Sequence, residues 1–124
     1  DYPKANHPDV MLVMSQEAYN KYSRDLKEGG VLIVDSSHVS PQALQGTRML
    51  SLPITSLARE VTGRDITANI VALGAIVRAT GIVSDEAIEK AVSRRVPAGT
   101  IEVNLKALRA GMEVVARSLS VGTK

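Results

Sequence analysis

Cysteine is absent from this chain of 124 residues. Its absence excludes disulfides, thiolate nucleophiles, zinc–thiolate sites and iron–sulfur clusters ligated by this chain. The only two histidines, His7 and His38, have no further ligands at metal-binding spacing, so we expect no metal site. Any electron relay that involves this protein must therefore lie on another polypeptide.

Aromatic residues and surplus charge are also scarce. Three tyrosines are the only aromatics, so the core must be aliphatic and an aromatic stacking site is not expected. Lysine and arginine outnumber the acidic residues by only 15 to 13, and the two signs are interspersed. A protein that binds a nucleic-acid backbone usually carries a basic stripe, so we expect no nucleic-acid partner.

Long apolar runs are missing as well. No apolar stretch reaches the roughly 18 residues of a membrane span, and no charged leader precedes an apolar segment. We therefore expect no membrane association and a cytoplasmic location. The sequence begins at Asp1 rather than at methionine, and a strand pattern follows almost at once, so we expect upstream sequence to be missing.

Strand and helix patterns alternate in the first half of the chain. Apolar residues follow one another in Asp9–Met14 and Val31–Asp35, which is typical of strands buried on both faces of a parallel sheet. Between them, Ser15 can cap a helix over Gln16–Leu26, and this connection is long enough for a right-handed crossover. A third, shorter strand is predicted over Arg48–Leu52.

Helical patterns fill the second half. Glycine ends helices because it adopts left-handed conformations without steric cost, and proline stops them because it cannot continue the hydrogen-bonding pattern. With these signals and the apolar spacing of three and four residues, we predict helices over residues 54–63, 66–79, 84–95 and 101–119.

Together these elements predict an α/β fold, Rossmann-like and three-layered, with a mainly parallel sheet. No linker, repeat or low-complexity tract interrupts the sequence, so residues 1–124 are predicted to form a single domain. Three short strands cannot cover the apolar surface of the predicted helices, which makes the sheet incomplete. We expect strands from an absent N-terminal segment, or from a partner, to complete it.

The helix predicted over Ile66–Ala79 has almost no polar face, and such a helix must be buried nearly all round. A sheet would cover one side and a neighbouring subunit the other. Gly74, between Ala72 and Ala75, would let another backbone approach closely, at that interface or in tight core packing. Asn69 should find a hydrogen-bond partner in a loop carbonyl, a neighbouring subunit or a ligand. These four residues are the candidate interface.

Asp35, Ser36, Ser37 and His38 form the one cluster of acid, hydroxyl and imidazole groups in the sequence. They follow a predicted parallel strand, and α/β sheets bind ligands at that end of their strands. The alternative is a structural loop made of Asx or Ser turns, and it is favoured because catalytic triads are assembled from separate loops. No residue is assigned a catalytic or cofactor-binding role.

Arg94 and Arg95 lie in the last turn of the third predicted helix of the second half. Positive charge there suits the helix dipole, and a solvated helix end is the simplest interpretation. Docking of an acidic or phosphate-bearing partner is the alternative hypothesis.

Four segments, in this order along the chain, resemble a known family. They are HPDVMLVMSQEAYNKY, LKEGGVLIVDSS, LAREVTGRDITANIVALGAIVRATGIVSDEAIEKAV and NLKALRAGMEV. Together they are similar to the C-terminal part of the gamma subunit of 2-oxoacid:ferredoxin oxidoreductases, and they cover nearly the whole chain. The glycine-rich strand–loop–helix that opens the family's gamma subunit is missing from this sequence, which fits a truncation.

The resemblance implies a subunit of an oligomeric enzyme that converts a 2-oxoacid to an acyl-CoA and reduces ferredoxin. It implies that this chain is structural and binds no cofactor, while partner subunits hold thiamine diphosphate, Mg and iron–sulfur clusters. Coenzyme A and ferredoxin would be met through the complex. We favour 2-oxoglutarate over pyruvate, with indolepyruvate or a branched-chain 2-oxoacid as alternatives. The rival hypothesis is a noncatalytic homodimeric assembly or binding domain of the same fold.

Overall fold

A computed structural model of the chain describes residues 10–26, 29–41 and 48–122, with side chains to residue 118. Within these ranges the fold is α/β with a parallel sheet, as predicted. Its strands and α-helices are β1 (Val10–Val13), α1 (Gln16–Tyr22), β2 (Val31–Asp35), β3 (Arg48–Leu52), α2 (Ile54–Thr62), α3 (Ala68–Thr80), α4 (Asp85–Arg95) and α5 (Ile101–Gly122).

The three described strands form one sheet in the order β1-β2-β3, and both pairs are parallel. The register places Val31 of β2 beside Val10 on one side and Arg48 on the other. All five residues of β2 are buried. An uninterrupted apolar strand in the middle of a parallel sheet explains why its sequence shows no alternation.

By its internal contacts the chain divides into two compact units. The strand unit, Asp1–Leu52, contains the sheet and α1. Its core joins buried side chains of the strands, of α1 and of the loop after β2, which are Val13, Tyr19, Leu32, Val34 and Val39. The helical unit, Pro53–Lys124, contains α2 to α5.

The helical unit is built around a close crossing of α3 and α5. A Cβ atom placed on Gly74 of α3 would overlap the Leu108 carbonyl oxygen and lie 3.1 Å from the Met112 nitrogen. A Cβ atom on Gly111 of α5 would in turn overlap the Val71 carbonyl oxygen. Both glycines are therefore needed for the two backbones to approach this closely.

Capping side chains and glycines set several helix ends where the sequence predicts them. The Ser15 and Ser84 hydroxyls accept the amides of Ala18 and Ala87, at 3.1 and 3.0 Å. Gly63 and Gly81 end α2 and α3 with positive φ angles of 76° and 65°. These interactions satisfy backbone groups that a helix leaves unpaired at its ends.

Two helices are shorter than predicted. Helix α1 ends at Tyr22 and continues as a 3₁₀ turn, rather than running to Leu26. Helix α3 begins at Ala68, because the preceding Asp65–Thr67 forms a separate 3₁₀ turn. The Thr67 hydroxyl stabilises that turn by donating to the Arg64 carbonyl at 2.9 Å.

Candidate functional site

The cluster at the end of β2 is a tight turn around Asp35. Its buried carboxylate accepts the Ser37 amide at 3.0 Å, and its carbonyl accepts the amides of His38 and Val39 at 3.0 and 2.9 Å. Ser36 and His38 are exposed, whereas Asp35 is buried. This geometry is an Asx turn, in which Asp35 accepts the backbone amides that follow the strand. A ligand-binding role for the loop stays a prediction.

The described part of the chain shows neither a metal site nor a membrane-spanning helix. No three histidine or acidic residues there are grouped closely enough to hold a metal ion, and His7 lies outside the described residues. None of the helices described is long and apolar enough to cross a lipid bilayer. With no cysteine in the sequence, these residues do not fit an iron–sulfur cluster.

Three of the four candidate interface residues are buried within the chain. Ala72, Gly74 and Ala75 are buried, and Gly74 faces the backbone of α5. Of the two alternatives for Gly74, tight core packing is therefore seen within this chain. A contact of these residues with another subunit stays a prediction.

Asn69 corrects one inference from the sequence. Its amide was expected inside a buried helix, yet the residue is exposed, because α3 begins only at Ala68 and Asn69 stands in its first turn. Ile66 is likewise 74% exposed in the preceding 3₁₀ turn. The helix is therefore not buried all round, and water can satisfy the Asn69 amide.

Gly111 is the residue that sequence reasoning missed. It lies between Leu108 and Met112, which are both buried. A glycine inside a long helix lowers the stability of that helix, so its presence usually has a packing reason. The glycine within the predicted helix over residues 101–119 was therefore the signal that could have indicated a close contact.

The side of α3 that borders α4 is open to solvent. Between the two helices lies a cavity of about 330 Å³, here called the α3–α4 groove. Six of its seven lining residues are apolar, and Arg95 is the exception. The apolar residues are Ile70, Leu73, Ile88, Ala91, Val92 and Val96. Leu73 and Ile88 are half-buried and Ala91 is exposed, so the groove presents apolar side chains to solvent.

Ion pairs connect α4 to both α3 and α5. Arg78 of α3 donates to Asp85 at 2.9 Å, and Arg109 of α5 forms two hydrogen bonds to Glu89, at 2.9 and 3.2 Å. The hydrogen bonds from Arg109 lower the pKa of Glu89, and the same pair raises the pKa of Arg109. These contacts attach α4 to its neighbours by its polar edges, while its apolar edge faces the groove.

The basic end of α4 is different. Among the described residues, Arg94 and Arg95 form no ion pair, whereas Asp85, Glu86 and Glu89 are all paired. Both arginines are exposed, and Arg95 lines the groove. The groove therefore combines an apolar floor with an unneutralised positive charge at one end.

Comparison with known proteins gives a consistent set of relatives. Residues 1–114 match the family described as pyruvate ferredoxin/flavodoxin oxidoreductase. The chain is 47% identical over 116 residues to 2-oxoglutarate synthase subunit KorC of Methanocaldococcus jannaschii, covering 92% of this chain and 62% of that protein. The gamma subunit of a keto/oxoacid ferredoxin oxidoreductase from Geobacter sulfurreducens superimposes with a TM-score of 0.84 at 49% identity, covering 88% of this chain and 64% of that one.

A third relative is a much longer polypeptide. Ketoisovalerate oxidoreductase subunit VorA of Methanothermobacter marburgensis is 30% identical over 122 residues, which are 94% of this chain but 25% of VorA. By contrast, the chain spans somewhat less than two thirds of KorC and of the Geobacter gamma subunit. The same domain therefore occurs both in short subunits and as one quarter of a longer chain.

Proposed function

Because the chain belongs to the pyruvate ferredoxin/flavodoxin oxidoreductase family, we propose that it is part of the gamma subunit of a 2-oxoacid:ferredoxin oxidoreductase. Residues 1–124 are then a single domain, the C-terminal part of that subunit. The observation that carries the proposal is the 49% identity, at a TM-score of 0.84, to the Geobacter gamma subunit.

The proposed enzyme decarboxylates a 2-oxoacid oxidatively in the presence of coenzyme A. The bond between the carbonyl carbon and the carboxylate breaks, CO₂ leaves, and the acyl group passes to the coenzyme A thiol. The electron pair that this oxidation releases reduces ferredoxin. We propose 2-oxoglutarate rather than pyruvate as substrate, and the 47% identity to KorC, against 30% to VorA, supports this choice over a branched-chain 2-oxoacid.

Within this enzyme the chain has a structural role. Iron–sulfur clusters need thiolate ligands that the chain lacks, and the described residues contain no metal-ligand cluster. The proposal therefore assigns thiamine diphosphate, Mg and the clusters to partner subunits, and coenzyme A and ferredoxin to sites of the whole complex. A cytoplasmic location is part of the same proposal.

A noncatalytic domain that assembles as a homodimer is the second candidate. One observation favours it: the α3–α4 groove is lined almost entirely by apolar side chains, as a surface used for self-association is. The two candidates differ in the partners that each requires.

Reconstitution tests the proposal. The chain is co-expressed with the other subunits of the oxidoreductase from the same source, and reduction of a viologen dye is followed with 2-oxoglutarate and coenzyme A. We expect the chain to co-purify with subunits that carry thiamine diphosphate and iron–sulfur clusters, and omission of the chain to abolish activity. A chain that purifies alone as a homodimer, with full activity in the remaining subunits, would overturn the proposal.

A further inference from the structure

We propose that α4 is a movable strap: it leaves α3 and α5 as a unit, while those two helices stay packed on each other, and its opening exposes an apolar cluster. The cluster contains Val77 of α3 with Leu108 and Met112 of α5, and Val92 of α4 packs against it. This motion lies within the helical unit and is independent of the proposed function.

Helix α4 is much less buried than the helices on which it packs. Val92 is the one buried residue among its eleven, whereas six of the thirteen residues of α3 are buried. Helices α3 and α5 also meet backbone to backbone at Gly74 and Gly111. Elements with few buried apolar groups open at a lower free energy than the core of a protein does. The α3–α5 pair should therefore stay closed when α4 opens.

Both connections of α4 are exposed and contain a glycine. Residues 81–87 are exposed throughout, and so are residues 97–99. Gly81 has a positive φ angle of 65°, and a Cβ atom on Gly99 would have no neighbour within 4 Å. The backbone that would turn when α4 moves is therefore not packed in the core.

Exposed ion pairs attach α4 to the other two helices. Arg78 of α3 donates to Asp85 at 2.9 Å. Arg109 of α5 donates to Glu89 at 2.9 and 3.2 Å. Ion pairs that solvent reaches contribute little to stability, and the α3–α4 groove leaves about 330 Å³ between the facing helices. The attachment of α4 is therefore weak, and much of it depends on Val92.

Opening changes the surface that the helical unit presents. Val77, Leu108 and Met112 are buried when α4 is closed. Removal of α4 takes Val92 and the half-buried Ile88 away from them and exposes apolar side chains to water. The hydrophobic effect favours the closed state, so the open state is the minor one. The strap thus hides an apolar surface that becomes available only when α4 moves.

Native-state hydrogen exchange in the full chain tests whether α4 moves as a unit. We expect the amides of α4 to share one opening free energy and one dependence on denaturant. Relative to their intrinsic rates, they should exchange about tenfold or more faster than the central amides of α5. Protection that falls gradually from the middle of α4 to its ends would indicate fraying and would overturn the proposal, as would equal protection of α4 and α5.

A thiol placed in the cluster tests what the opening of α4 exposes. The chain contains no cysteine, so Met112→Cys introduces its single thiol. Val115→Cys is the control, because Val115 is also buried in α5 but is not part of this cluster. In folded protein, verified by circular dichroism, we expect a thiol reagent to label position 112 about tenfold or more faster than position 115. Equal labelling rates would overturn the proposal.

Further substitutions should change labelling at position 112 and leave position 115 unaffected. Val92→Ala removes the buried side chain of α4 and should raise the rate at position 112 by about tenfold. Glu89→Gln removes one ion pair to α5 and should raise it by about two- to fivefold. Glu113→Gln is the matched control, because its ion pair lies within α5. Equal increases at both positions would show that α4 opens only together with the rest of the helical unit, against the proposal.

Discussion

Helix α3 packs on α5 through one face and borders α4 through another, and the two contacts are built differently. Towards α5, Gly74 and Gly111 let the two backbones touch, and Leu108 and Met112 are buried there. Towards α4, side chains rather than backbones meet, and the half-buried Leu73 and Ile88 line an open groove. A contact without side chains at its centre leaves no room for a ligand, whereas the second contact leaves apolar surface for a partner.

Truncation of a core side chain is expected to give the largest difference between the two contacts. Leu108 is fully buried, so Leu108→Ala should lower the free energy of unfolding by about 2–5 kcal/mol. Leu73→Ala, in the half-buried groove wall, should cost clearly less because solvent already reaches the site. Urea unfolding followed by circular dichroism measures both values. Equal losses would mean that the groove is as tightly packed as the α3–α5 contact.

Adding a methyl group to the close crossing is expected to have the next largest effect. Gly111→Ala should destabilise the chain by about 1–3 kcal/mol, because the new Cβ overlaps the Val71 carbonyl oxygen and the helices must separate. Gly99→Ala is the control, since a Cβ there has no neighbour within 4 Å. Thermal melting distinguishes them. A melting temperature for Gly111→Ala at or above that of wild type would contradict the close crossing.

Much of this architecture follows from the sequence alone. The apolar run of β2 and the left-handed glycines at Gly63 and Gly81 predict elements and ends that the structure confirms. Local rules were insufficient at the start of α3, where hydrogen bonds of the Thr67 hydroxyl to Arg64 and to Thr62 hold a 3₁₀ turn instead of the first helical turn.

The candidate site was harder to predict than the fold. Periodicity identifies an apolar helix, but it does not say which helix covers which face. The pairing of Gly74 with α5, and of Gly111 with α3, depends on a crossing between distant segments. The groove lies where Ile88 and Ala91 of α4 approach α3, and ion pairs connect the polar side chains of α4 to α3 and to α5.

Loss of the α4 cap is expected to have a smaller effect. The Ser84 hydroxyl accepts the Ala87 amide at 3.0 Å, and Ser84→Ala should cost about 1 kcal/mol. Because α4 forms one wall of the groove, its amide protons should exchange faster in this variant, while those of α5 should be unchanged. Hydrogen exchange measures the two helices separately. Equal acceleration in both would show that α4 and α5 open together, so that the two contacts of α3 are not independent.

The ion pair between α4 and α5 is expected to give the smallest and most pH-dependent effect. Hydrogen bonds from Arg109 lower the pKa of Glu89 below its ordinary value of 4.5, so the pair stabilises the fold above that pH. This stabilisation is lost as the pH falls through the lowered pKa, and partial exposure limits it to under about 1 kcal/mol. The difference in melting temperature between wild type and Glu89→Gln should therefore be present at neutral pH and shrink below about pH 4.5. Glu113→Gln removes an exposed ion pair that lies within α5 alone, so it should leave the hydrogen exchange of the α4 amides unchanged. Faster exchange of the α4 amides in Glu89→Gln, but not in Glu113→Gln, would show that the Glu89–Arg109 pair holds α4 in place.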